Sequence, residues 1–291
     1  MQAAEPAAST FQIGMTRRQF VPAAPYDWRG DPRHVLATMI WYPAVPDAQE
    51  TPQRFGPPGR PFFDLGRAAV NAAIAPSPAR FPLILLSHSS GGIAANLAWL
   101  GTALAAHGYI AAAVNHPGNN AIDGYTVPGF TLWGLRARDL SAVLDGMFKD
   151  PTFGPRIDPR RIGAAGHSLG GYTVIAIAGG IASHERLREF CASPAADRTC
   201  GPPTQFPDLG AKVEALARSD PAYRATLDET GWSYRDPRMR AVFAMAPGLA
   251  QAFLPASLAR IDIPVAIVAG AADEVVPATS NAEFLAAKIP H

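Results

Sequence analysis

The sequence predicts an α/β fold: a mainly parallel central sheet with helices on both faces and a cap-like insert. Three observations predict it. Apolar runs of strand length alternate with stretches of helical spacing, the pattern of a parallel sheet with crossover helices. The 291 residues are 48% hydrophobic, enough for one large core. The rhythm then breaks between about residues 181 and 235, where charges and both cysteines gather.

The elements follow in order. Residues 1–34 hold an N-terminal tail and a first strand, and residues 35–291 a single domain with the insert at about 181–235. Phe11–Phe20 and Val35–Tyr42 read as an early β hairpin or meander. Pro43 to Pro78 is rich in proline and glycine and reads as a long surface connection. Pro82–Ser87 is a buried strand by composition and length, Leu97–Ala106 a helix, and Tyr109–Val114 the next buried strand. Leu135, Leu140, Val143, Leu144 and Met147 have helical spacing within Leu132–Phe148. Arg161–Ala165 is a short strand, and a helix starts at Ser168. In the insert, short helical patterns lie near Ala211–Ala217 and Ala222–Leu227, and the insert as a whole reads as a cap or lid. Ala241–Met245 and Pro264–Ala269 resume the strands, and Ala278–Ala287 is a final helix.

A formal net charge of +1 leaves no electrostatic footprint for nucleic acid or an anionic membrane. No apolar run approaches the roughly 20 residues of a membrane span. Met1–Ser9 has neither a basic nor an apolar signal region. It resembles the tail of a mature exported protein, or else a plain disordered terminus. The only two cysteines, Cys191 and Cys200, share one polar insert, so we expect a disulfide rather than two free thiols. That bond implies an oxidising compartment, periplasmic or extracellular.

A serine hydroxyl is a poor nucleophile until a base takes its proton. One solution places it on a tight strand-to-helix turn flanked by glycines, because a side chain there would meet the neighbouring element. Gly166-His167-Ser168-Leu169-Gly170 has that spacing, between a strand and a helix, and makes Ser168 the candidate nucleophile. The oxyanion then needs two backbone N–H donors. Leu169 supplies one. The glycine-rich turn Ser87-His88-Ser89-Ser90-Gly91-Gly92 supplies the other, at Ser90, unless it is a plain strand-to-helix turn. Asp273, after a late strand in Gly270-Ala271-Ala272-Asp273-Glu274, is the candidate acid that orients a histidine, with Glu274 as runner-up. His88 and His167 flank the two turns and read as structural. His116, at a strand's carboxyl end, lines the substrate pocket or is a turn residue. The scattered histidines lack metal-ligand spacing, so no metal or cofactor is expected.

With these residues in place the chain resembles the α/β-hydrolase superfamily, over roughly residues 35–290. It is most similar to bacterial hydrolases between the dienelactone hydrolases and the platelet-activating-factor acetylhydrolases. The matching stretches are Phe81–His88, Gly108–Gly118 and Arg161–Gly171. Dienelactone hydrolases carry a cysteine where Ser168 stands, so their substrate class does not transfer. The acetylhydrolases place the acid after the preceding strand, where this chain has Met245-Ala246-Pro247-Gly248. The resemblance puts the histidine after the acid, where only His291 follows, so the last strand and its histidine loop are expected to be missing here. His34, His107, His116 and His184 would need another topology. The resemblance implies a serine hydrolase of small carboxylic esters. An amidase or peptidase on the same triad and a non-catalytic binding scaffold are the rivals.

Overall fold

A nine-stranded sheet organises the molecule. The computed structural model describes residues 11–23, 29–30 and 34–290. The readings of Met1–Ser9 and of His291 lie outside the described residues. The strands are β1 (Gln12–Phe20), β2 (Leu36–Ala44), β3 (Thr51–Phe55), β4 (Phe63–Val70), β5 (Phe81–Ser87), β6 (Ile110–Val114), the two-residue pair β7 (Asn119–Asn120) and β8 (Gly124–Tyr125), β9 (Ile157–His167), β10 (Ala241–Met245) and β11 (Val265–Val268). The sheet order is β11-β10-β9-β5-β6-β2-β1-β4-β3, with β7 and β8 pairing separately. From β6 to β11 all neighbours are parallel, whereas β1, β2 and β6 pair antiparallel.

The helices are α1 (Ala98–Ala106), α2 (Val127–Thr131), α3 (Gly134–Lys149), α4 (Leu169–Ala178), α5 (His184–Cys191), α6 (Leu209–Ser219), α7 (Pro221–Asp228), α8 (Pro255–Leu258) and α9 (Ala282–Ala286). Side chains alternate across a strand, so β5 feeds two cores. Leu83 and Leu85 join Leu140, Val143, Val174 and Ile177 on the α3 and α4 face. Leu86 joins Ala98, Ala105 and Trp41 on the α1 face. The mainly parallel sheet with helices on both faces is as expected from the alternating apolar runs.

Three departures have physical causes. The expected surface connection Pro43–Pro78 contains the β3–β4 hairpin, which extends the sheet beyond β1. Pro52 is tolerated because β3 is an edge strand, where a missing N–H costs no ladder bond. β9 runs four residues earlier than Arg161, to Ile157, and pairs there with Phe81 across an irregularity at Pro82. Helix α5 was not expected from the sequence; it carries four charged residues and packs Leu187 against the main core.

The insert lies against the start of α3. Tyr223 of α7 packs on Leu132 and Leu135, and its hydroxyl is 2.8 Å from Thr131 Oγ1. Phe206 sets its ring edge-on to Phe130 at 5.1 Å, and Phe130 does the same to Tyr125 at 5.6 Å. Cys191 and Cys200 form the expected disulfide, with Cα atoms 5.4 Å apart. No helix among the described residues is long and apolar enough to cross a membrane.

Candidate active site

The turn between β9 and α4 holds Ser168 at φ 56 and ψ −116, a conformation that L residues adopt only when their surroundings impose it. Those surroundings are specific. Ser168 N–H donates to Met245 O at 2.9 Å, and its carbonyl accepts from Gly248 N–H at 3.1 Å. A Cβ added at Gly166 would fall on the Gly170 carbonyl, and one at Gly170 on the Ser87 carbonyl. One at Gly171 would come within 2.7 Å of Pro247 Cα. The three glycines therefore let β5, β9 and the loop after β10 close around one residue. Ser168 is partly exposed and its Oγ bonds no described residue.

The loop after β5 is tied at both ends and open in the middle. Arg136 Nη2 donates to the His88 carbonyl. Gly91 N–H donates to Asn119 Oδ1 at 2.8 Å, Ile93 N–H to Asn96 Oδ1 at 2.8 Å, and Ala94 N–H to Asn115 Oδ1 at 2.7 Å. Gly92 N–H donates to Ser89 O at 3.1 Å. The N–H groups of Ser89 and Ser90 have no acceptor among the described residues, nor does that of Leu169 at the head of α4.

Asp273 sits in the loop after β11. Its Oδ1 accepts the N–H groups of Val275 and Val276, both at 2.9 Å. Val276 Cγ2 and Ser168 Oγ both lie within 4.0 Å of the position a Gly248 side chain would take, so this loop abuts the elbow. Glu274, the runner-up, is exposed and faces Arg198 at 3.6 Å. Farther along, Asn281 Oδ1 accepts Ala250 N–H at 3.1 Å, and Ser280 Oγ donates to Asp197, inside the disulfide-closed loop.

His116, expected either to line the substrate pocket or to be a turn residue, is fully buried. Its Nδ1 is 2.7 Å from Asp139 Oδ2, and its Nε2 is 2.9 Å from Ser87 Oγ. Burial, then the nearby Arg136, pushes its pKa down to about 3, so the ring is neutral. A neutral ring that gives its Nδ1 proton to Asp139 must accept from the Ser87 hydroxyl at Nε2. Burial alone would raise the Asp139 pKa, but Arg29, paired at 2.7 Å, and His116 outweigh it and hold it at about 2. His88 is also buried. Its Nε2 accepts His116 N–H at 3.1 Å and its Nδ1 donates to Ser89 O at 2.7 Å, so its role is structural.

His167 is exposed and points away from α4, on the same side as Ala165. It lines a cavity of about 440 Å³ with His88, Ser89, Asn96, Leu97 and Trp99. His184 packs its ring on Trp133 at 4.6 Å. Among the described residues no histidine bonds Ser168 Oγ, and no group of three metal-ligating side chains occurs. Ser87, Arg136, Asp139 and Arg29 were missed from the sequence. One signal was available: Arg136 and Asp139 stand in phase with the apolar stripe Leu140, Val143 and Met147 of α3, where a solvated charge has no place.

The sequence profile of platelet-activating factor acetylhydrolase, isoform II, matches residues 66–129, the stretch that carries β5, the loop after it and β6. Lipase 1 of Moraxella sp. (strain TA144) is 40% identical over 76 residues, covering 26% of this chain and 21% of the lipase. The chain thus spans about a fifth of the length of that curated relative. The structure of a ferulic acid esterase from Streptomyces cinnamoneus superposes with a TM-score of 0.61 at 21% identity, over 98% of this chain and 73% of that one. Sheet order and the structural match give this chain the fold of the α/β-hydrolases, and its residues 66–129 are similar to the platelet-activating factor acetylhydrolases.

Proposed function

We propose that the protein hydrolyses small carboxylic esters through an acyl-enzyme on Ser168. The observation that carries this reading is the elbow itself. Its serine is held at φ 56, and among the described residues neither its hydroxyl nor the N–H groups of Leu169, Ser89 and Ser90 have a partner. Ser168 Oγ attacks the acyl carbon, and the N–H groups of Leu169 and Ser90 take the negative charge that develops on the carbonyl oxygen. Such donors are preorganised, so they cost no reorganisation when the charge appears. Asp273 orients the histidine that takes the serine proton and gives it to the departing alcohol as the ester C–O bond breaks, and water then releases the acid. None of the described histidines fills that role. The family resemblance favours an ester, and the absence of an acid in Met245–Gly248 favours a carboxylesterase over a phospholipid-specific enzyme.

The test is covalent labelling. A fluorophosphonate should add one phosphonyl group to Ser168, located by peptide mass spectrometry, and Ser168→Ala should take none. A wild-type protein that neither labels at Ser168 nor turns over a p-nitrophenyl ester would overturn the reading. The Cys191–Cys200 bond supports a periplasmic or secreted location. Fractionation of the native host that finds the protein in the cytosol, with both thiols reduced, would contradict that.

A further inference from the structure

We propose that Arg136 is a positioning residue of the oxyanion hole, a buried group that ties both of its N–H donors to a common point. The proposal rests on the ester-hydrolase reading for its chemistry and on the structure alone for its geometry.

Arg136 lies in the first turn of α3 and is fully buried. Its guanidinium reaches both walls of the hole. On the loop side Nη2 donates to the His88 carbonyl and, at 3.2 Å, to Ser87 Oγ. Nη1 donates at 3.2 Å to Asn119 Oδ1, the same oxygen that accepts Gly91 N–H. Arg136 thus holds residue 88 directly and residue 91 through Asn119. Between those two points lie Ser89 and Ser90, whose N–H groups are the unclaimed ones. On the elbow side Nε donates at 3.1 Å to Thr173 Oγ1, which donates at 2.8 Å to the Leu169 carbonyl. That carbonyl belongs to the residue whose N–H forms the other half of the hole.

The energetics argue against a purely structural role. Among the described residues Arg136 makes hydrogen bonds only to neutral acceptors. Its carboxylate neighbour Asp139 bonds to Arg29 and His116 instead. A buried cation without a direct ion pair is costly, and an apolar side chain of similar size would serve packing better. What the guanidinium supplies is a rigid planar fork, whose donors fix several acceptors at set angles. It also places positive charge beneath the site where an oxyanion develops. The remaining polar groups set its orientation. The Ser87 hydroxyl gives its proton to His116, which leaves Ser87 Oγ free to accept from Arg136.

The experiment combines steady-state kinetics on p-nitrophenyl acetate with amide hydrogen exchange of the full chain. Lysine keeps the charge but cannot span the four acceptors. Arg136→Lys should therefore lose at least about tenfold in kcat with KM changed less than about twofold. Exchange should rise in residues 88–94, while β5, β6 and β9 keep wild-type protection. A folded Arg136→Lys protein with wild-type kcat, or with unchanged exchange in that loop, overturns the proposal. So does a loss of protection spread through the sheet. Should Arg136→Lys fail to fold, Asn119→Ala and Thr173→Val cut the two relays separately. Each should lower kcat several-fold and leave the other wall's exchange unaltered, and wild-type behaviour in both overturns the proposal. If the wild type hydrolyses no ester, the ester reading falls, and the exchange measurements alone decide the positioning role.

Discussion

Ser168 and Asp273 are held by opposite means. Backbone contacts fix the serine from three elements, and two N–H groups of its own turn fix the carboxylate. Asp273→Asn should accordingly fold as the wild type but lower kcat by about 10³–10⁴, as loss of a triad carboxylate does when the histidine's tautomer is no longer set. Equal kcat in the two proteins would assign the acid elsewhere. The serine was legible because its spacing is a local steric necessity, satisfied by Gly166, Gly170 and Gly171 within six residues. The cluster behind it was not. Arg29, Ser87, His116, Arg136 and Asp139 are drawn from β5, α3 and two loops, and no local rule links them. The sequence placed His116 at a strand's carboxyl end, where ligands bind, but whether its ring faces solvent or core depends on what α3 brings over it.

At the scale of elements, the elbow depends on how closely α4 approaches the strands. Gly170→Ala would push α4 off the Ser87 carbonyl, and overpacking of this kind costs about 1–3 kcal/mol. Thermal denaturation should show that loss together with lower activity. A Gly170→Ala protein of wild-type stability would mean that the two elements have room to part. The insert contributes through a different contact. Its disulfide-closed loop presents Asp197 to Ser280 and Asn281, and so braces the segment that carries Asp273. Closing so short a loop stabilises by roughly 2–3 kcal/mol on chain-entropy grounds. Reduction should therefore lower both melting temperature and kcat, and exchange near Ser280 should rise first. A reduced protein with full activity would separate the two loops. The helices and strands of the core were legible from periodicity. The β3–β4 hairpin was hidden by Pro52 and by the glycines and prolines of its turn.

For the whole molecule, buried neutral histidines set the response to acid. Burial lowers His116 to about 3 and His184 to about 4, and takes His88 well below its ordinary value of 6.5. Between those values and 6.5 the unfolded chain binds protons that the folded chain refuses. Stability therefore falls as pH drops below about 6.5, by at most about 1–2 kcal/mol per histidine at pH 5. Below 3.8 the depressed Asp139 adds its own loss, since the folded chain resists its protonation until about pH 2. Melting temperatures should thus be flat from pH 7 to 8.5 and decline steadily from pH 6.5 to 4. A flat profile across that lower range would contradict the buried neutral state. The two ends of the sheet also differ in what they offer a neighbour. At one end β3 presents Pro52 and the exposed Arg54–Asp64 pair. At the other, β11 is an uncharged Val265-Ala266-Ile267-Val268 that pairs with β10 alone among the described residues, with Val268 half exposed. A strand of that composition can take a further strand on its outer side, whereas Pro52 and the charged pair make the β3 end a poor template for one.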